Sequence, residues 1–411
     1  MTFLLMSANH TMPQLSVTRI VFCLTPLAIA LAFAMDIYIP AVPTLTRSFH
    51  VSIAQMQLTL NLFMLVSGFS QLFFGPLTDR FGRRRITFLT ICIFTIASMI
   101  CSQADTLSAL ILGRTLQAIG SCGMLVLSFA IARDLCNDQK LAKVYSYLNG
   151  AIAISPMFGP FIGSYLDVHF GWPATFESLL VISILAGSLY FMFIPESWPQ
   201  SRRQPITSKL LSSYLIIFSH RTFFIYTLTS AFGLSYLFIF CAISPILIIT
   251  LLHVPELHYG YYFCFMGISL FLGSLISGMI VEKIGIFNTV LYGLLITFLG
   301  AIFMLAINQF YGLTLYGFVL PMVIIGIGGT FCLGAGSGGS MIPFSHQSGM
   351  AAALGGACRF LYAGFIGLII AKHIHSTLPL AIPACIQSLA GICLLYYYRH
   401  QLRLIEQIIR N

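Results

Sequence analysis

The chain is a succession of long apolar runs separated by short polar turns. A run of roughly 20 mostly apolar residues is long enough to cross a bilayer as a helix. The pattern predicts six spans at about 20–43, 55–77, 86–103, 106–131, 143–166 and 174–194. Six more follow at about 222–251, 258–281, 286–307, 311–339, 346–371 and 378–399. Between the two groups lies the longest polar stretch, Pro195 to Arg221, with Arg202, Arg203 and Lys209. The expected organisation is all-α and polytopic: a tail at 1–18, a six-helix bundle at 19–194, a linker at 195–221, a second six-helix bundle at 222–399 and a tail at 400–411. The apolar run from Ile20 is too long for a simple signal peptide and lacks a small-residue cleavage site.

Composition excludes a soluble domain. Hydrophobic residues make up 58% of the chain and charged residues 8%, against about 25% charged in soluble proteins. A formal charge of +9 raises the question of a nucleic-acid or acidic partner. The placement of the charges answers it, because the basic residues sit in turns between spans. With the N-terminus in the cytoplasm, Arg19, Arg80 to Arg85, Arg133, Lys140, Lys143, the linker, Lys283 and the C-terminal tail (Arg399, Arg403, Arg410) face inward, and Arg47 and Lys372 face outward. This asymmetry sets both termini inside.

The cysteines, among them Cys23, Cys92, Cys122, Cys241, Cys264, Cys332, Cys358 and Cys393, have no Cys-x-x-Cys or other metal spacing, and read as small packing residues. His253, His258, His373 and His375 read as loop residues. No metal or cofactor is expected. Phosphate-binding Gly-Lys-Ser/Thr loops, His-Glu-x-x-His and Gly-x-Ser-x-Gly are all absent from the sequence, so nothing points to an enzyme or to ATP as the driving force.

The densest charge follows the second span, where Asp79, Arg80, Arg83, Arg84 and Arg85 fall within seven positions. Its ordered form is Gly75-x-x-x-Asp79-Arg80-x-Gly82-Arg83-Arg84. The same spacing recurs after the second span of the other group as Gly278-x-x-x-Glu282-Lys283-x-Gly285. Two repeated halves with a site between them are a recurring transporter plan.

Ionisable residues inside spans are costly and are functional candidates. Asp36, in Asp36-Ile-Tyr38-Ile-Pro40, lies about seven residues from the outer end of the first span, and Arg114 about eight from that of the fourth. At 1.5 Å per residue both lie roughly 10–12 Å deep, so the two are expected to face each other. Either Asp36 exchanges a proton under the control of Arg114, or the two form a permanent ion pair that only orients helices. Gln117, three residues after Arg114, lines a cavity or bonds a neighbouring helix. Pro156, Gly159, Pro160 and Gly163 predict a bent, closely packed fifth span, either a rocking seal or a static kink. Arg359, mid-way along the eleventh span, either binds an anionic group or neutralises Asp36, or else snorkels or pairs with carbonyls. Glu177 falls near an outer helix end, and the abundant aromatic residues read mostly as packing and interfacial groups.

Taken as a set, several segments resemble the twelve-span drug:proton antiporters of the major facilitator superfamily. They are the loop Gly75–Arg85, Arg114-x-x-Gln117-x-x-Gly120 and Pro156-x-x-Gly159-Pro160-x-x-Gly163. The stretch Asp36-x-Tyr38-x-Pro40-Ala-x-Pro43 and Ser244-Pro245 resemble the Bcr/CflA multidrug exporters in particular. The resemblance implies two bundles around a central cavity in a bacterial inner membrane. It implies proton-driven export of varied small molecules by a monomer in contact with lipid. It also implies a cytoplasmic gate at Gly75, Asp79, Arg80, Gly82, Arg83 and Arg84, and coupling at Asp36, Tyr38, Arg114 and Gln117. Ser164 and Ala118 stand where the pattern carries glycine, and Arg359 is not part of it. Two intramembrane arginines, Arg114 and Arg359, against one aspartate, Asp36, favour an acidic or zwitterionic cargo over a purely cationic one, which keeps a metabolite or siderophore exporter open as an alternative. A nutrient importer on the same fold and a non-transporting polytopic protein are the other rivals.

Overall fold

The computed structural model describes residues 15–198, 210–371 and 376–403. Most of the predicted tails, the linker arginines and Lys209, Lys372, His373, His375 and Arg410 lie outside the described residues.

The chain alternates between two faces of one bundle. Helix α1 (Val17–Asp36) passes through a 3-10 turn at Ile39–Ala41 into α2 (Val42–Ser48). Next come α3 (Ile53–Phe81), α4 (Arg83–Ser102), α5 (Leu107–Leu135), α6 (Asp138–Phe170) and α7 (Pro173–Phe193). A short helix, α8 (Leu210–Ser219), leads into α9 (Arg221–Pro245), which continues as a π-turn to Leu251. Then come α10 (Glu256–Tyr311), α11 (Leu315–Met341), α12 (Ser348–Ile370) and α13 (Leu378–Tyr397).

Eleven helices among the described residues are long and apolar enough to span a membrane. One of them, α10, runs for 56 residues, about 84 Å at 1.5 Å per residue, far beyond the roughly 30 Å of a hydrocarbon core. Gly285 resolves this. Its φ of 85° and ψ of 169° break the helix into limbs of about one span each, which gives twelve crossings. Gly82 makes the matching break between α3 and α4, at φ 89° and ψ 153°. The sequence repeat is thus a repeat of backbone: each copy ends its helix with a left-handed residue that glycine alone adopts without strain.

Why α1 stops at Asp36 follows from two prolines. Pro40 has no N–H to offer the Asp36 carbonyl four residues back, and Pro43 none for Ile39. The chain tightens into 3-10 geometry, with Ala41 N–H donating to the Tyr38 carbonyl at 3.1 Å, before helix resumes.

Helices α1 to α7 pack chiefly among themselves, as do α9 to α13. The two sets meet along α3 against α12 and along α6 against α10. On the outer surface large apolar side chains stay exposed, for example Phe22, Phe73, Phe88, Met192, Met279 and Phe310, as a lipid-facing surface requires.

The glycines of the repeat divide into two kinds. Gly75 and Gly278 have nothing within 4 Å of an added Cβ, whereas Gly82 and Gly285 hold positive φ. In thermal unfolding of the purified protein, Gly82→Ala and Gly285→Ala are each expected to cost about 1–2 kcal/mol. Gly75→Ala and Gly278→Ala should unfold at or slightly above the wild-type temperature.

Candidate functional site

The candidate residues form two centres at opposite faces of the bundle. The first surrounds the turn after α3. Arg83, its side chain 7% exposed, contacts Asp79 at 2.8 Å and Asp134 at 2.9 Å. It also donates to Thr78 Oγ1 and stacks its guanidinium 4.8 Å from the Trp198 ring. Trp198 Nε1 donates to the Asp79 carbonyl at 3.1 Å, and Ser197 Oγ to Asp134 at 3.1 Å.

Helix α4 begins at Gly82, which has no side chain to cap it. Glu196 supplies the cap instead, accepting from the backbone N–H groups of Arg83 at 3.1 Å and Arg84 at 3.3 Å, where the helix dipole favours an anion. Arg84 reaches the other way and donates to the last carbonyls of α7, Phe191 at 3.1 Å and Ile194 at 3.5 Å. Arg80 lies over Phe81, and Arg85 stays exposed beside Phe88 and Glu196. Asp134, Glu196 and Trp198 are missing from the sequence-level candidate set. They lie far along the chain, and only Asp134, which follows Arg133 at a helix end, sits in a recognisable charged pair. Every contact named for this centre lies within the chain up to Trp198.

The second centre surrounds the end of α1. Here the structure corrects an expectation: Asp36 and Arg114 do not pair. Asp36 accepts a 2.7 Å hydrogen bond from Ser155 on α6. Arg114 on α5 donates to the Ala34 carbonyl at 2.7 Å and to Gln117 Oε1 at 2.6 Å. Both meet the same end of α1, but on opposite sides of it. Ala34 and Asp36 are two residues apart on a helix, about 200° around its axis. Helix α1 packs between α5 and α6, so one residue faces each neighbour.

Arg114 is fully buried with no carboxylate paired to it among the described residues. Its guanidinium sits 4.4 Å from the Tyr38 ring centroid and 4.2 Å from that of Phe63, a desolvated cation between two π faces. Tyr38 is held by a 2.6 Å hydrogen bond with Thr59. Gln117 bonds a neighbouring helix, its Nε2 donating to Ser98 of α4 at 2.9 Å.

Helix α6 carries Ser155, Gly159 and Gly163 at four-residue spacing, on one face. That face meets the end of α1. A Cβ on Gly159 would lie 2.5 Å from the Asp36 Cβ, and one on Gly163 would strike the Ile37 carbonyl. Pro156 and Pro160 lie within the continuous helix. The next face of α6 meets the other set of helices. Phe161 fills the space at Gly260, and Met157 that at Gly267, both on α10. Two hydrogen bonds join the sets at this same end, Gln57 Nε2 to the Ala242 carbonyl at 2.7 Å and Thr44 Oγ1 to Glu256 at 3.4 Å. Glu177 is exposed.

Arg359 belongs to neither centre. It lies midway along α12, partly buried, with no hydrogen bond or ion pair among the described residues.

The two aspartates that hold Arg83 differ sharply in exposure, Asp79 at 50% and Asp134 at 6%. Asp134→Ala is expected to cost about 3 kcal/mol or more, because it strips a buried charge of its buried partner. Asp79→Ala should cost about 1 kcal/mol or less. Denaturant unfolding of both variants measures the difference. Gly163→Ala should cost about 1–3 kcal/mol by forcing α1 and α6 apart.

The family model described as Major Facilitator Superfamily matches residues 24–397. Among curated proteins, the chain is 29% identical over 367 residues to a chloramphenicol resistance protein of Pseudomonas aeruginosa, covering 89% of this chain and 86% of that one. It is 28% identical over 341 residues to multidrug resistance protein D of Escherichia coli K12, covering 82% and 84%. It is 27% identical over 274 residues to a bicyclomycin resistance protein homolog of Haemophilus influenzae, covering 66% and 69%. Among solved structures, a D-xylose-proton symporter superposes with a TM-score of 0.74 at 16% identity over 92% of this chain and 97% of that one. The peptide transporter POT with sulfate superposes at 0.76 and 12% identity, covering 96% and 97%. With the helical repeat and the buried charges in place, the chain belongs to the Major Facilitator Superfamily and is a membrane transporter, not an enzyme.

Proposed function

We propose that the protein is a proton-driven exporter of small, structurally varied molecules. It works by alternating access in a bacterial inner membrane, as a monomer with both termini in the cytoplasm. The relatives named for chloramphenicol, bicyclomycin and multidrug resistance support the drug-export reading. The orientation rests on charge: Arg19, Arg80, Arg83 to Arg85, Arg133, Lys140, Lys143 and Lys283 share one face, and Arg47 stands at the other. Residues 19–194 and 222–399 act as the two moving bodies, joined by the linker at 195–221.

One observation carries the coupling. Asp36 sits in a buried seam with a hydroxyl donor, Ser155, and no cation paired with it among the described residues. An ionised carboxylate sealed in hydrocarbon is costly, so closing the seam is linked to the protonation state of Asp36. Arg114 acts from the opposite side of α1. Through Ala34, Tyr38 and Gln117 it fixes the helix end that presents the carboxyl. Gly159 and Gly163 let α6 lie directly on that helix end, and the neighbouring face of α6, through Met157 and Phe161, reaches α10. Protonation at Asp36 is thereby connected to the fit between the two bodies. The turn at Gly75, Asp79, Arg80, Gly82, Arg83 and Arg84 is the cytoplasmic gate. The partners named for it belong to the first body and to the start of the linker, at Glu196 and Trp198.

The decisive measurement is proton release on adding drug to the purified protein, with pH-gradient-driven drug flux in proteoliposomes. Asp36→Asn should abolish both, with unfolding temperature close to wild type. Undiminished proton-linked flux in that variant removes Asp36 from the mechanism.

A further inference from the structure

Arg359 is a permanent charge in the middle of a membrane-spanning helix, with nothing opposite it. It is the twelfth of the 23 residues of α12, Ser348–Ile370, so neither helix end is within easy reach for snorkelling. No acid among the described residues is paired with it, and its guanidinium donates no hydrogen bond there. Arg114, by contrast, is stacked between two rings and bonded to a carbonyl and an amide. Even half-buried, a guanidinium without a counterion is unfavourable at mid-span, and its planar fork matches a carboxylate.

The surroundings are built on the same pattern. One turn back on α12, Gly355 and Gly356 leave the guanidinium room. A Cβ at Gly355 would lie 3.4 Å from Arg359 Nη1 and 3.8 Å from Thr227 Oγ1 of α9. Thr227 is 3% exposed, and its hydroxyl is buried without a hydrogen-bond partner. It is an independent sign of a missing polar group, since buried hydroxyls are normally satisfied. From the other set of helices, the side-chain Oε1 of Gln71 on α3 rests on Gly356, and Gln71 is 7% exposed. One charge, one hydroxyl and one amide therefore converge from three helices, across the boundary between the two sets.

We propose that Arg359, Thr227 and Gln71 form a subsite for a carboxylate carried by the transported molecule, so that the cargo includes monoanionic or zwitterionic compounds. The inference rests on the transporter reading and narrows its substrate class. Arg359 takes the carboxylate in a bidentate grip, Thr227 donates its hydroxyl, and Gln71, whose Oε1 rests on Gly356, turns its Nε2 to donate from the facing bundle. A bound carboxylate thus ties the two bundles together at this level.

The test is calorimetric titration of the full chain in lipid nanodiscs with a panel of aromatic and aliphatic carboxylates, each beside its methyl ester. At least one carboxylate should bind about tenfold or more tightly than its ester. That preference should fall to about twofold or less in Arg359→Gln, with ester affinity unchanged as the control for folding. Arg359→Lys should keep part of the preference, and Thr227→Val should lose about threefold. These last two variants decide the matter if Arg359→Gln cannot be purified. The subsite is overturned if no carboxylate outbinds its ester, or if the preference survives unchanged in the variants. Loss of drug-driven proton release with the carboxylate preference intact would instead count against the export reading alone. Intact drug export without the preference counts against the subsite alone.

Discussion

The contact of α6 with the interrupted end of α1 governs the rest of this molecule. Two prolines end the helix at Asp36, and a row of small residues on α6 lets another backbone lie directly on the break. Within that contact sits an acid whose hydrogen-bond partner comes from the approaching helix itself, Ser155. Water is excluded there, so separation of the two helices and hydration of the acid are the same event. The adjoining face of α6 packs on α10, with Met157 against Gly267 and Phe161 against Gly260, so the break in α1 and the opposite bundle share one helix.

The structure divides three arginines by their company. Arg83 has two acids and a tryptophan ring, Arg114 has two rings and neutral acceptors, and Arg359 has none of these. Such a series has functional meaning in a medium that supplies no solvation. The first holds a turn in shape. The second stiffens the site where a helix breaks. The third, partly exposed and without an ion pair among the described residues, is the one the proposed subsite employs.

Much of this was legible in the sequence because it depends on local rules. Apolar run length placed the crossings, and the glycine-acid-base repeat marked the two turns that proved to share one backbone conformation. Small residues on α6 announced close packing, although not the partner. The misreading of Asp36 and Arg114 is instructive. Depth along a helix follows from counting residues, but direction around it depends on which neighbours flank it, and that is decided by packing of all the helices together. The same limit hid Asp134, Glu196 and Trp198, whose importance arises only when α5 and the segment after α7 arrive at the turn that Gly82 makes.

Glu196 and Trp198 carry one more implication. The chain leaves its first seven helices through a segment clamped to the start of α4 and to the floor beneath Arg83. Up to Trp198, the chain is therefore moored at the charged turn and not only at the end of α7. A pull felt at Trp198 would therefore bear on the Asp79–Arg83 knot through the indole that bonds one partner and stacks on the other.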